Sequence, residues 1–449
     1  MGIRDWIAVI IFGVIIIVMY VLKNGGGLFR FSQKQNKVQI LPKKKVSGVV
    51  FGKYGTKLAC SLETEEGHIA VLGGSGLGKT SALLIPTLRA WKGRAFVIDI
   101  SGDICKNARM PGCLIYQPQN PKTIPYNIFG AIDSQKDRNE KYELLEQLAF
   151  LIMPDKKKNT SEAAEFFNTE GRKMLTSALI CYYNAGMDFI SICEKIMENN
   201  WRDLLNDIAG HKNKKANLYI ASFAGASEQN NAGCKQSMDK AIKLFATNEK
   251  IKKTIRRPVS GEKCVTPEIL EKKNVFIVID DDKLKLYAPL LHIITAQSLE
   301  YFSKRPVENK TTILFCLDEF VSLGEMEITE ALRKLRKKHI RIMMLTQSMA
   351  DIDLLYGRDE RMAMMNNYLY KVILGCDDTD TQEYFAKLIG QHETKKNSIS
   401  KNSSQTTHTE AEAKDWIIQP SDLARLGNEV ILLSPDGCMG LKKNFYYKN

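Results

Sequence analysis

The sequence predicts an α/β fold with a mostly parallel sheet, and three observations carry that expectation. A glycine-rich turn, GGSGLGK (73–79), stands between the short apolar run HIAVL (68–72) and TSALLIPTLRAW (80–91), whose apolar residues share one helical face. A second apolar run, TTILFCLDEF (311–320), leads into two adjacent acids. Further short apolar runs, RAFVIDI (94–100), NVFIVID (274–280), RIMMLTQ (341–347), KVILGC (371–376) and EVILLS (429–434), alternate with helical or polar stretches and complete a parallel core. Such sheets bind ligands at the carboxyl ends of their strands.

The bulk properties bound the rest. A chain of 449 residues has room for two or three domains, and 44% hydrophobic with 26% charged residues excludes disorder and a multi-span channel. The formal net charge of +13 favours a polyanionic partner, nucleic acid or an anionic membrane surface. Ten cysteines are scattered with no CxxC pair and six histidines are dispersed, which points to a reducing cytosol and to neither a disulfide framework nor a structural zinc.

Along the chain, WIAVIIFGVIIIVMYVL (6–22) carries no charge and is just long enough for one transmembrane helix. Trp6 and Tyr20 stand near its ends, and Lys23, Arg30, Lys34, Lys37 and Lys43 to Lys45 follow it. The positive-inside rule then puts the body of the protein in the cytoplasm, as a single-pass cell-membrane protein. No small-x-small cleavage pattern follows to mark a signal peptide, and Trp6 occupies the position where a myristoylation signal needs Ser or Thr. Residues 1–27 are read as the anchor, 28–45 as a basic linker, and 46–137 as the first part of a nucleotide-binding domain.

Gly73, Gly78, Lys79 and Thr80 fit G-x-x-x-x-G-K-[ST] in the strand–turn–helix context that the motif requires. Gly73, Gly74, Ser75, Gly76, Leu77, Gly78, Lys79, Thr80 and Ser81 form the expected cradle for ATP. Backbone N–H groups converge on the phosphates, Lys79 reaches the β- and γ-phosphates, and Thr80 ligates Mg²⁺. Asp318 would complete the metal shell and Glu319 would polarise the attacking water. Gln347, at the end of its strand, is placed for a γ-phosphate sensor. In the basic helical stretch EMEITEALRKLRKKHIR (325–341), Arg336 is the choice for an arginine acting across a ring interface, with Arg333 and Arg341 as rivals.

Residues 138–262 lack strand signals and repeat apolar residues three or four apart, as in Phe167, Met174, Ala178 and Tyr182. An all-α domain inserted into the nucleotide-binding domain follows, closed by KIKKTIRR (250–257), a candidate nucleic-acid contact. Residues 263–449 are the second part of the nucleotide-binding domain, with the Ser- and Thr-rich segment 393–415 read as a flexible polar loop.

Several stretches together resemble the type IV coupling proteins, the TraG/TraD-like ATPases of conjugation and type IV secretion. They are GVVFGKYG (48–55), VIDISGD (97–103), PYNIF (125–129), the Phe166–Phe167 helix, FCLDEFVSLGE (315–325), LTQSMADIDLLYG (345–357), IIQPSDLARLGNEVILLS (417–434) and FYYKN (445–449). The resemblance implies a membrane-tethered, hexameric, RecA-like P-loop motor that recruits relaxase-bound single-stranded DNA, or protein, and passes it to a type IV secretion channel. By the same resemblance, Lys79 and Thr80 take nucleotide and metal, Asp318 and Glu319 metal and water, Gln347 the sensor role and Arg336 the interface role. Two features depart from the family: one membrane helix where two are usual, and Ile100-Ser101-Gly102-Asp103, which has drifted from the D-P-K-G-E pattern. The alternatives are another membrane-associated pump of double-stranded DNA, of the chromosome-segregation type, and a nucleotide-binding recruitment platform without motor activity.

Overall fold

His68–Leu72 is buried along its whole length: parallel strands pair both its edges, and its five successive buried residues point alternately to two covered faces of the sheet. Val71 stands opposite Val372 of Tyr368–Ile373 on one side and Leu345 of Ile340–Thr346 on the other. In this computed structural model the structure describes residues 37–155, 161–402 and 405–448, with no side-chain description for 395–413. The expected anchor, 6–22, lies outside the described residues. Among those residues no helix is long and apolar enough to cross a membrane.

The chain divides into two compact units. The first takes the described part of Met1–Gly93 with Cys316–Val321 and Ile340–Asn449. Its strand order is Gln39–Leu41, Lys57–Leu62, Gly48–Tyr54, Gly437–Lys442, Glu429–Ser434, Tyr368–Ile373, His68–Leu72, Ile340–Thr346. The last three form the parallel ladder that carries the glycine-rich turn. Glu429–Ser434, expected in the parallel core, instead pairs antiparallel with Tyr368–Ile373. An apolar run marks burial but not direction, and Glu429–Ser434 is also antiparallel to Gly437–Lys442, its hairpin partner, with Ser434 opposite Gly437.

Segment 393–415 also differs from its expectation. Gln391–Asn402 and Gln405–Trp416 pair antiparallel over their length, with Ile399 opposite His408, so the polar stretch is a two-stranded ribbon and not a loop. Its threonines favour extended backbone, and pairing supplies the backbone hydrogen bonds that a polar sequence without a core would otherwise seek from water.

The second unit is Arg94–Phe315 with Ser322–His339. Residues 94–137 therefore group with the helices and not with the glycine-rich turn, which moves the boundary expected at 138. Here Arg94–Asp99 and Leu114–Tyr116 flank Val275–Val278 in parallel. Between them the chain forms successive helices, among them Arg138–Ile152, Glu162–Asn184, Phe189–Glu198, Trp201–Gly210 and Glu228–Thr247. Side chains of Asp137, Ser161, Asp188, Asn200 and Ser227 cap their first turns, satisfying N–H groups that have no partner inside the helix. Met174, Ala178 and Tyr182 are buried, and Phe167 packs so tightly on Gly233 that a Cβ there would lie 2.5 Å from its ring.

KIKKTIRR is not a free basic strip. Arg256 binds Glu262 through two bonds of 2.6 Å, Arg257 binds Asp133 through two of 2.9 Å, and Lys252 lies 2.8 Å from both Glu194 and Glu249. Asp133 and Glu194 come from other helices, while Glu249 and Glu262 flank the basic run itself, and only their side-chain geometry shows which charges pair.

Candidate functional site

The turn after His68–Leu72 is pinned on both sides by its neighbouring strands. The Gly73 N–H donates to the Thr346 carbonyl at 3.2 Å, and the Gly74 N–H donates to the Gly375 carbonyl at 3.1 Å. The backbone then turns through Gly76 at φ 73° and Gly78 at φ 100°, a region that suits glycine. At Gly78 a Cβ would also lie 3.1 Å from the Phe445 ring. The chain continues into a wide turn, Lys79–Leu84, and the helix Ile85–Ala90, with the Ala82 N–H donating to the Gly78 carbonyl at 2.8 Å.

Lys79 is only 6% exposed. Its Nζ donates to the Gly73 carbonyl at 2.6 Å and to the Gly74 carbonyl at 3.3 Å, so the ammonium is folded back over the turn. Burial holds its pKa below the ordinary lysine value, while Glu319, Asp318 and Asp351 pull the other way. Those three acids define the negative side of the site.

Asp318 and Glu319 occupy the turn directly after the buried strand Ile313–Leu317. Asp318 is 8% exposed, and Glu319 has φ 47°, a left-handed conformation that costs a non-glycine residue about 1–2 kcal/mol. The Gln347 Nε2 donates to Glu319 Oε2 at 3.4 Å, joining the end of Ile340–Thr346 to the acid turn. Lys79, Asp318, Glu319 and Gln347 therefore share one compact unit and one electrostatic neighbourhood.

The donor set suits Mg²⁺. Among the described residues no group of three His, Cys, Asp or Glu side chains could cage a metal. One carboxylate and one hydroxyl, Asp318 and Thr80, match an ion that keeps several waters and takes its other ligands from substrate phosphates.

The three candidate arginines separate. Arg333 and Arg336 are exposed, Arg333 in the helix Ile328–Leu335 and Arg336 in the short turn after it, both in the second unit. Arg341 is 2% exposed in the first unit, with Nε donating to the Gly67 carbonyl at 2.8 Å, Nη1 to the Leu62 carbonyl at 3.1 Å and the guanidinium 5.3 Å over the Tyr370 ring. It is a core residue and no rival for an interface role. Arg341→Ala is expected to lower stability by about 2–4 kcal/mol, because one buried and one partly buried carbonyl lose their donor. Denaturant melting checks this, and turnover per folded molecule should stay at the wild-type level.

Linear reading left other contributors without a role. Asp351 acts on Lys79 from the helix Met349–Tyr356, and Gly375 anchors Gly74 from the far side of the turn. Phe445 and Tyr446 close on Gly78 and Ser81, the Tyr446 N–H donating to the Ser81 carbonyl at 3.0 Å. In the sequence, FYYKN (445–449) stood out only as one of the stretches that carry the family resemblance.

Comparisons with known proteins agree on one group. The family model described as type IV secretory system conjugative DNA transfer matches residues 29–449. VirD4 of Agrobacterium fabrum is 21% identical over 431 residues, spanning 90% of this chain and 63% of that protein. The probable conjugal transfer protein TraG of Sinorhizobium fredii is 25% identical over 390 residues, spanning 80% of this chain and 58% of that protein. The chain thus covers less than two thirds of the length of either relative. Among solved structures, the unbound bacterial conjugative coupling protein TrwB has a TM-score of 0.71 at 18% identity, covering 92% of this chain and 95% of that one. TrwB in complex with ADP and Mg²⁺ has a TM-score of 0.66 at 18% identity, covering 94% and 96%. These likenesses establish a TrwB-like mixed α/β fold.

Proposed function

The chain belongs to the type IV secretory system conjugative DNA-transfer family, and from that premise we propose that it is an ATP-driven coupling motor, delivering relaxase-bound single-stranded DNA or protein to a type IV secretion channel. The observation that carries the reading is the convergence of Lys79, Asp318, Glu319 and Gln347 on one glycine-rich turn. A phosphate cradle alone serves many chemistries. An acid in position to polarise water, facing that cradle, is what hydrolysis adds.

In this mechanism the ammonium of Lys79 leaves the Gly73 and Gly74 carbonyls for the β- and γ-phosphate oxygens, exchanging neutral acceptors for charged ones. Glu319 accepts a hydrogen bond from the attacking water and aligns it with the γ-phosphorus. Gln347, already bonded to Glu319, reports the presence of the γ-phosphate to the strand Ile340–Thr346. Thr80 and Asp318 would hold Mg²⁺, which would supply charge neutralisation for the phosphates when bound. Arg336 reaches the site of a neighbouring subunit in a homo-hexamer of RecA-like units. The uncharged run 6–22 tethers the motor to the membrane with its body in the cytoplasm.

The test is ATP turnover by the full chain with no DNA, single-stranded DNA and duplex DNA across a salt series. Stimulation by single strands that falls steeply with salt is the expected result, since binding releases counterions from the phosphate backbone. Stimulation by duplex alone would favour a double-stranded pump, and indifference to DNA would shift the cargo to protein.

A further inference from the structure

The segment following Gly437–Lys442 is ordered against the glycine-rich turn by contacts unrelated to hydrolysis. Tyr446 accepts a bond from Arg89 Nη1 at its carbonyl, 3.2 Å, and the Arg89 guanidinium lies 4.9 Å over the Tyr446 ring. Its N–H reaches the Ser81 carbonyl, so one anchor near the start of the helical segment and one at its end hold this residue in place. Phe445 fills the space beside Gly78. The Tyr447 ring packs on both neighbours, with centroids 5.4 Å from Phe445 and 5.2 Å from Tyr446, yet the residue is 59% exposed. An aromatic ring held by two others and left open to water is a surface with unspent apolar area.

Its position gives that surface an occupant. Lys79, Asp318, Glu319 and Gln347 mark where a γ-phosphate would lie. The α-phosphate and nucleoside of a bound nucleotide must then leave at the other end of the cradle, past Ser81, the residue after the lysine–threonine pair. Phe445 to Lys448 borders that exit. We propose that this segment is the nucleoside wall of the site, with the Tyr447 ring stacking on a purine base. Recognition through the π-face accepts adenine and guanine alike. The inference rests on the reading of the turn as an ATP site.

The test measures equilibrium binding of ATP and of inorganic tripolyphosphate to the full chain, by calorimetry, for wild type, Tyr447→Ala and Tyr447→Phe. Tyr447→Ala is expected to weaken ATP about tenfold, the scale of one base–aromatic stack, while tripolyphosphate affinity stays unchanged and Tyr447→Phe binds ATP like wild type. Equal losses for both ligands would overturn the wall and make the segment a brace for the turn. Unchanged ATP affinity in Tyr447→Ala, with wild type binding both ligands, would overturn the wall and leave the ATP site standing. Wild type binding neither ligand would remove the ATP-site reading itself. A Tyr447→Trp variant adds a direct signal: ATP should quench fluorescence beyond the wild-type change and tripolyphosphate should not, and absence of that difference would also overturn the proposal.

Discussion

Glu319→Gln is expected to lower ATP turnover by about 10²–10⁴-fold, with ATP affinity held near the wild-type value. The amide keeps the size of the side chain and an oxygen to accept from Gln347 Nε2, so the contact to the strand end survives. It removes the negative charge that polarises water. The left-handed backbone at φ 47° is unchanged, because glutamine tolerates that conformation no better and no worse than glutamate. Steady-state phosphate release set beside equilibrium ATP binding reads the two effects separately. A variant that hydrolyses at the wild-type rate would remove Glu319 from the chemistry and leave a recruitment platform as the better description.

Lys79→Ala is expected to lower turnover by about 10²–10³-fold, through loss of a charge aimed at developing negative charge on the phosphates. The folded protein should survive the change. Burial is the largest influence on the Lys79 ammonium and opposes its charge, so its removal relieves a desolvation penalty while exposing Asp318 and Glu319 to each other. Thermal melting without nucleotide should therefore stay close to wild type. Mixing this variant with Arg336→Ala should restore part of the turnover, because some interfaces then pair an intact Lys79 site with an intact Arg336 from the adjacent subunit. No recovery at saturating subunit concentration would exclude Arg336 as the residue acting across the interface.

The local backbone around the glycine-rich turn and the acid pair was legible in the sequence. HIAVL followed by GGSGLGK announces a buried strand, a tight turn and a helix start, because burial period and glycine placement are properties of neighbouring residues. The same holds for TTILFC leading into Asp318 and Glu319, and for the strandless stretch that folds as Glu162–Asn184 and Glu228–Thr247. Charge was less legible. Arg256, Arg257 and Lys252 looked like a basic strip, and Arg341 looked like a peer of Arg336, until acids near and far in sequence paired the first three and distant carbonyls took up Arg341. A side chain's type says what it can bond, not which partner the fold will bring to it.

By itself, then, the sequence determined the glycine-rich turn, the acid pair and the alternation of strands and helices, all of which follow from spacing over a few residues. Tertiary structure alone decided that Thr346 and Gly375 clamp the glycine-rich turn, that Glu429–Ser434 runs antiparallel, that Gln391–Asn402 and Gln405–Trp416 pair as a ribbon, and that Phe445 and Tyr446 lie against Gly78 and Ser81. Each of these joins segments whose meeting depends on loop closure and competition for burial across the chain, quantities that no local pattern encodes.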